Sequence, residues 1–115
     1  MSQDTVKSET YAQFVDRILK PGTVKENLTH AALGIGGEAG EVVDLIKKCV
    51  IYDRELDVTK LVEEIGDVLY YMQAALNEVG LDLNHAMLMN MDKLNKRFSA
   101  GSYSSAQAIA RADKA

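Results

Sequence analysis

Residues 57–98 read DVTKLVEEIGDVLYYMQAALNEVGLDLNHAMLMNMDKLNKRF. Within this stretch Leu61, Ile65, Val68, Met72, Leu76 and Val79 recur every three or four residues, the spacing of one helical face. Asp57 or Thr59 is placed to cap the start of that helix and Gly80 to stop it. Asp82 then caps another helix, which carries Leu83, Met87, Met91 and Leu94 on one side and runs to about Phe98. Upstream, Tyr11, Phe14, Val15, Ile18 and Leu19 give a helical stripe within residues 8–20, and Pro21 and Gly22 end it. A second pattern over residues 24–50 runs through Leu28, Ala31, Ile35, Val42, Leu45, Ile46 and Cys49, and a polar turn follows at 52–57. Residues 99–105 are rich in Gly and Ser, and 106–115 are expected to form a short, frayed helix. No stretch alternates apolar and polar residues long enough for a sheet, and no solenoid repeat is visible. The expected fold is all-α, an antiparallel helix bundle.

A chain of 115 residues has material for one domain, read here as residues 1–115 with a core at 8–98 and a tail at 99–115. Hydrophobic residues make up 47% and charged ones 26%, a globular balance without a long disordered tract. The net charge of −4 argues against a partner such as DNA or RNA, whose recognition needs clustered Lys and Arg. A polyphosphate is still compatible with an acidic protein if a divalent metal supplies the positive charge. Cys49 is the only cysteine, which excludes an intrachain disulfide or a thiolate metal cluster and suits a reducing cytoplasm. Residues 1–7 lack an apolar signal core, and no apolar run approaches the roughly 20 residues that span a bilayer. Neither export nor a membrane partner is expected.

The chemistry is carried by two acidic motifs, Glu38-Ala39-Gly40-Glu41 and Glu64-Ile65-Gly66-Asp67. Singly, each resembles the acidic pairs common on solvated helix faces. Their phase is different. At about 100° per residue, Glu38 aligns with Ala31, Val42, Leu45 and Cys49, and Glu64 lies beside Leu61, Val68 and Ala75. Glu41 and Asp67 are each displaced from these directions by about 60° in the same sense, while Glu63 falls about 100° from Glu64, towards solvent. Four carboxylates at the inner edge of a bundle repel one another and are costly to desolvate. A buried Lys or Arg, or a hard divalent cation, must offset them. Magnesium suits carboxylates that leave room for waters and phosphates; calcium needs more protein oxygens, and zinc favours His or Cys, which are not placed nearby.

On the fourth helix Asn90, Lys93 and Arg97 form a stripe at i, i+3 and i+7, expected to face the same interior; alone it reads equally as a solvated basic patch near a helix C-terminus. Tyr71, i+4 from Asp67, lines the acidic side or forms a rim aromatic. Gly34, Gly36, Gly37 and Gly40 crowd one helical segment, which implies close backbone approach or a local break. The formal G-x-G-x-x-[GA] match there follows no strand, so a dinucleotide fold is rejected. A ferritin-like di-iron bundle would need Glu-x-x-His motifs, which this chain lacks. A helical dimerisation module with solvated acids is the non-enzymatic alternative.

With the spacing E-x-x-E, then E-x-x-D, and the surrounding HAALGIGGEAGEVVDLIKK, EEIGDVLYYM and NMDKLNKRF, the chain resembles the MazG-like all-α nucleoside triphosphate pyrophosphohydrolases from about residue 11 to 103. The resemblance implies a four-helix core completed by oligomerisation as a homodimer or tetramer. It further implies that Glu38, Glu41, Glu64 and Asp67 bind Mg2+, with Mn2+ a substitute, and that a nucleotide is cut to its monophosphate and pyrophosphate. By the same resemblance Asn90, Lys93 and Arg97 hold phosphates, with Lys48 and Tyr71 as further contacts and His30 near the base. Glu41, at the edge of the site with room for solvent, is the expected general base. Many relatives carry Trp where this chain has Tyr70, which leaves base preference open, and dUTP, dCTP or phosphoribosyl-ATP hydrolysis stays within the fold's repertoire.

Overall fold

Five helices and no strand occur among the residues described, 8–114, of the computed structural model. The helices are α1 (Tyr11–Ile18), α2 (Val24–Ile51), α3 (Val58–Asn77), α4 (Leu83–Arg97) and α5 (Ser105–Ala110), followed by a 3-10 turn at Ala112–Lys114. The all-α class is as the periodicity requires. The chain divides into two compact units, one ending at Gly80 and one running from Leu81.

Each helix begins where a side chain can satisfy an orphan backbone donor. Thr10 and Gln13 form a capping box at α1, and Thr23 and Glu26 form another at α2. Asp57, Asp82 and Ser104 accept from the third backbone N–H of α3, α4 and α5. Asp57 is thus the cap of α3, and Thr59 lies inside the helix. At the other end α3 stops at Asn77, earlier than Gly80. Glu78, Val79 and Gly80 each donate a backbone bond to the carbonyl three residues back, and Gly80 turns the chain with φ +72°.

In the first unit α3 packs against both α1 and α2. Asn27 near the start of α2 donates to Glu78 just beyond the end of α3, at 2.6 Å, so these two helices run antiparallel. Val15, Leu19, Ala31 and Ala74 form the buried core, with Tyr70 and Ala75 packed on it. At eight residues α1 is too short to persist alone. It is held by the burial of Val15 and Leu19 and by Asn77, whose Nδ2 donates to the Ala12 carbonyl at 3.0 Å. The four crowded glycines do not break α2, which continues unbroken through them.

In the second unit α5 and the 3-10 turn pack on α4. The frayed helix expected at 106–115 is instead a capped helix beginning at Ser105, and Arg111 in the left-handed region turns the chain into the 3-10 segment. Gln107 ties back to Ser99 at 2.9 Å, and the Phe98 and Tyr103 rings lie 5.9 Å apart. No helix among the described residues is long and apolar enough to cross a membrane.

A candidate metal centre and nucleotide site

Antiparallel packing of α2 on α3 brings the two acidic motifs together. Glu38, Glu64 and Asp67 each offer a carboxylate oxygen, and these oxygens lie within 4.8 Å of one another. Glu64 is buried and its neighbour Glu63 is exposed, as the helical phase requires. Glu38 is half-buried and Asp67 exposed, so the cluster opens to solvent on one side. Glu41 is exposed one turn beyond Glu38 and outside the three-oxygen cluster, though its charge is felt by Glu38.

The cluster carries the electrostatic tension expected of converging acids. Desolvation first, then the charges of Asp67, Glu64 and Glu41, raises the Glu38 carboxyl above its ordinary range. Lys60, one turn before Glu64 on α3, partly opposes this: its Nζ lies 3.0 Å from Glu64 Oε1. The ammonium is itself held above the ordinary lysine range, by the hydrogen bond to Glu64 before all else. Three oxygen donors from two helices, open on one side, could hold a hard divalent ion.

The other expected contacts fall in separate places. Tyr71 is seated directly over Gly34, where a Cβ would fall on its ring; Gly36, Gly37 and Gly40 face open space. His30 meets the Tyr71 ring edge-on at 5.6 Å, and Tyr70 meets it at 4.9 Å. His30 also borders a cavity of about 240 Å³ with Lys20, Gly22, Glu26 and Asn27. Lys48 is held by Asp44 at 3.0 Å, one turn away on the exposed face of α2.

Within the second unit, Lys93 and Arg97 converge on Asp113, while Asn90 is exposed and shares an open cavity of about 430 Å³ with Lys93, Lys96 and Asp113. Lys60 and Asp113 were not anticipated from the sequence. Lys60 stands at i−4 from Glu64, so its pairing was legible in the helical spacing. Nothing local announces Asp113, which reaches Arg97 across 16 residues.

The family model for the MazG nucleotide pyrophosphohydrolase domain matches residues 26–100, a span that contains all four acids and the stripe on α4. The chain belongs to the MazG family. A relative, the gene 37 protein of Mycobacterium phage L5, is 31% identical over 81 residues, covering 66% of this chain and 70% of the phage protein. No solved structure matches the chain significantly. The MazG match ends before α5, so Asp113 lies beyond the matched segment.

Proposed function

We propose that this MazG-family chain is a Mg2+-dependent nucleoside triphosphate pyrophosphohydrolase, converting a (d)NTP to (d)NMP and pyrophosphate in the cytoplasm. The observation that carries the reading is the convergence of Glu38, Glu64 and Asp67 oxygens within 4.8 Å, from two helices of a nucleotide pyrophosphohydrolase domain. Such a cluster suits a bound divalent ion, with Mn2+ a substitute, which would supply charge neutralisation for the triphosphate and acidify a water.

Glu38, Glu64 and Asp67 would hold that ion, and Lys60 would orient the buried Glu64 through their ion pair. Glu41, exposed at the edge of the cluster, accepts the proton of the attacking water. The water oxygen bonds to the α-phosphorus as the bond from that phosphorus to the α,β-bridging oxygen breaks, and pyrophosphate leaves in line with the attack. Asn90, Lys93 and Arg97 bind phosphate oxygens. Lys48 and Tyr71 are further phosphate contacts, and His30, whose ring meets that of Tyr71, borders the base.

A screen of nucleoside triphosphates with pyrophosphate detection, run with and without magnesium, tests the activity. Glu38→Gln and Glu64→Gln should reduce pyrophosphate release to background and leave the helical circular dichroism intact, because removing one charge from a crowded acidic cluster relieves repulsion in the metal-free state. Near-normal turnover of both variants at saturating magnesium would overturn the metal-site assignment.

A further inference from the structure

The best-buried charge in the second unit belongs to a residue outside the MazG match. The Asp113 side chain has no solvent exposure. Its Oδ1 accepts from Arg97 Nε at 2.8 Å and its Oδ2 from Arg97 Nη2 at 3.1 Å, a bidentate grip on one edge of the guanidinium. The same Oδ2 lies 4.0 Å from Lys93 Nζ, so one carboxylate oxygen stands between the two cations.

This grip leaves Arg97 with hydrogen-bonding capacity. A guanidinium has five N–H donors; Asp113 takes one from Nε and one from Nη2, so both Nη1 protons and the second Nη2 proton are left over. Cations also outnumber the carboxylate. Lys93 and Arg97 therefore share a single buried anion. Such crowding of like charge is relieved by an external anion with several oxygens. The open cavity beside Lys93 is lined by Asn90, Asp92, Lys96 and Asp113 as well, and Arg97 keeps 19% of its side chain exposed.

We propose that Asp113 is a positioning residue that fixes Arg97 and Lys93 as a paired receptor for the polyphosphate of the substrate. The inference rests on the reading of the α4 stripe as the phosphate contact, and extends it to a segment beyond the MazG match. Asp113 does not compete with the phosphate. Its covered, two-point bond makes it a fixed part of the receptor, and the donors it leaves unused serve the ligand.

The test is calorimetric binding of inorganic tripolyphosphate to the full chain in EDTA, which isolates the cationic receptor from the acidic cluster. Arg97→Met should weaken binding by more than tenfold while leaving a measurable residue through Lys93, and Asp113→Asn should weaken it by about tenfold, the low end for a hydrogen bond between charged groups. In the Arg97→Met background Asp113→Asn should lower residual affinity no further, whereas a merely structural role would give additive losses. Arg97→Lys retains the charge but lacks the fork that Asp113 grips. It should reproduce the tenfold loss, and it carries the test if Asp113→Asn does not melt cooperatively. Unchanged or tighter binding by Asp113→Asn, with Arg97→Met still defective, overturns the positioning role and leaves the pyrophosphohydrolase reading standing. If neither Arg97 nor Asp113 variants alter binding, the stripe is not a phosphate contact and the inference falls with it. Coupled losses in a chain that shows no hydrolysis support the receptor and overturn the enzymatic reading alone.

Discussion

Gly34 and Tyr71 decide how closely α2 and α3 approach at the inner end of the aromatic cluster. A methyl group at Gly34 would occupy the place of the Tyr71 ring, whereas one at Gly37 would meet nothing within 4 Å. Both positions lie inside α2, so replacing glycine by alanine gains up to about 1 kcal/mol of helix propensity at each. At Gly34 that gain is outweighed by an overpacking cost of about 1–3 kcal/mol as Tyr71 and its neighbour His30 move. Thermal or urea unfolding should therefore show Gly34→Ala destabilised and Gly37→Ala unchanged or stabilised; equal effects would contradict the close approach. The same comparison of neighbours applies to Glu63 and Glu64. Glu63→Ala should shift stability by no more than about 0.5 kcal/mol and preserve magnesium-dependent activity. Loss of that activity would mean that α3 is rotated from the register described. At this scale the sequence was informative because helical phase is geometric: Glu64 turned inward and Glu63 outward on the strength of the 100° step alone. Phase could not reveal which of four nearby glycines meets a ring from another helix, because that depends on interhelical distance.

At the scale of elements, caps and apolar spacing made every main helix legible, and the errors fell at the ends. The stop of α3 was displaced because three backbone bonds of the i to i−3 type tighten the chain before Gly80. After α4 the short helix expected at 106–115 forms at Ser105–Ala110 with Ser104 as its cap, and what the pattern could not show is the bond of Asp113 to Arg97, a tertiary contact. That contact has a pH signature. The Arg97 hydrogen bond, before its charge, holds the Asp113 carboxyl down at about 2, below its ordinary value of 3.8. A depressed acid contributes stability that is fully present above the unfolded value and is lost as pH falls through the folded one. The difference in melting temperature between the native chain and Asp113→Asn should thus be largest above pH 4 and shrink as pH is lowered towards 2. A difference that stays constant across that range would show that the carboxylate charge contributes nothing to holding the segment.

At the scale of the whole molecule, a single copy leaves much apolar surface uncovered. Only Val15, Leu19, Ala31 and Ala74 are buried apolar residues among those described. Leu33 and Val50 on α2 are each 73% exposed, Val43 is 66% exposed and Val62 on α3 is 63% exposed, while Met87, Leu88 and Met91 leave α4 largely apolar towards solvent. Isolated exposed apolar side chains are ordinary, but a chain with more exposed than buried aliphatic residues along its principal helices has the surface of an associating protein. A domain of this length buries about two-thirds of its unfolded surface when folded alone, which leaves little margin for a cleft that must also enclose an ion and a nucleotide. We therefore propose at least a homodimer, joined through apolar faces such as that of Tyr11, Phe14 and Ile18 or that of Leu69 and Met72, all of which are exposed in one copy. Sedimentation at micromolar concentration should give a dimer or tetramer. Specific activity should fall with dilution through the dissociation range, and magnesium with a non-hydrolysable nucleotide should shift that range to lower protein concentration, because a ligand of the assembled state stabilises it by mass action. A stable monomer with full activity at micromolar concentration would refute the proposal.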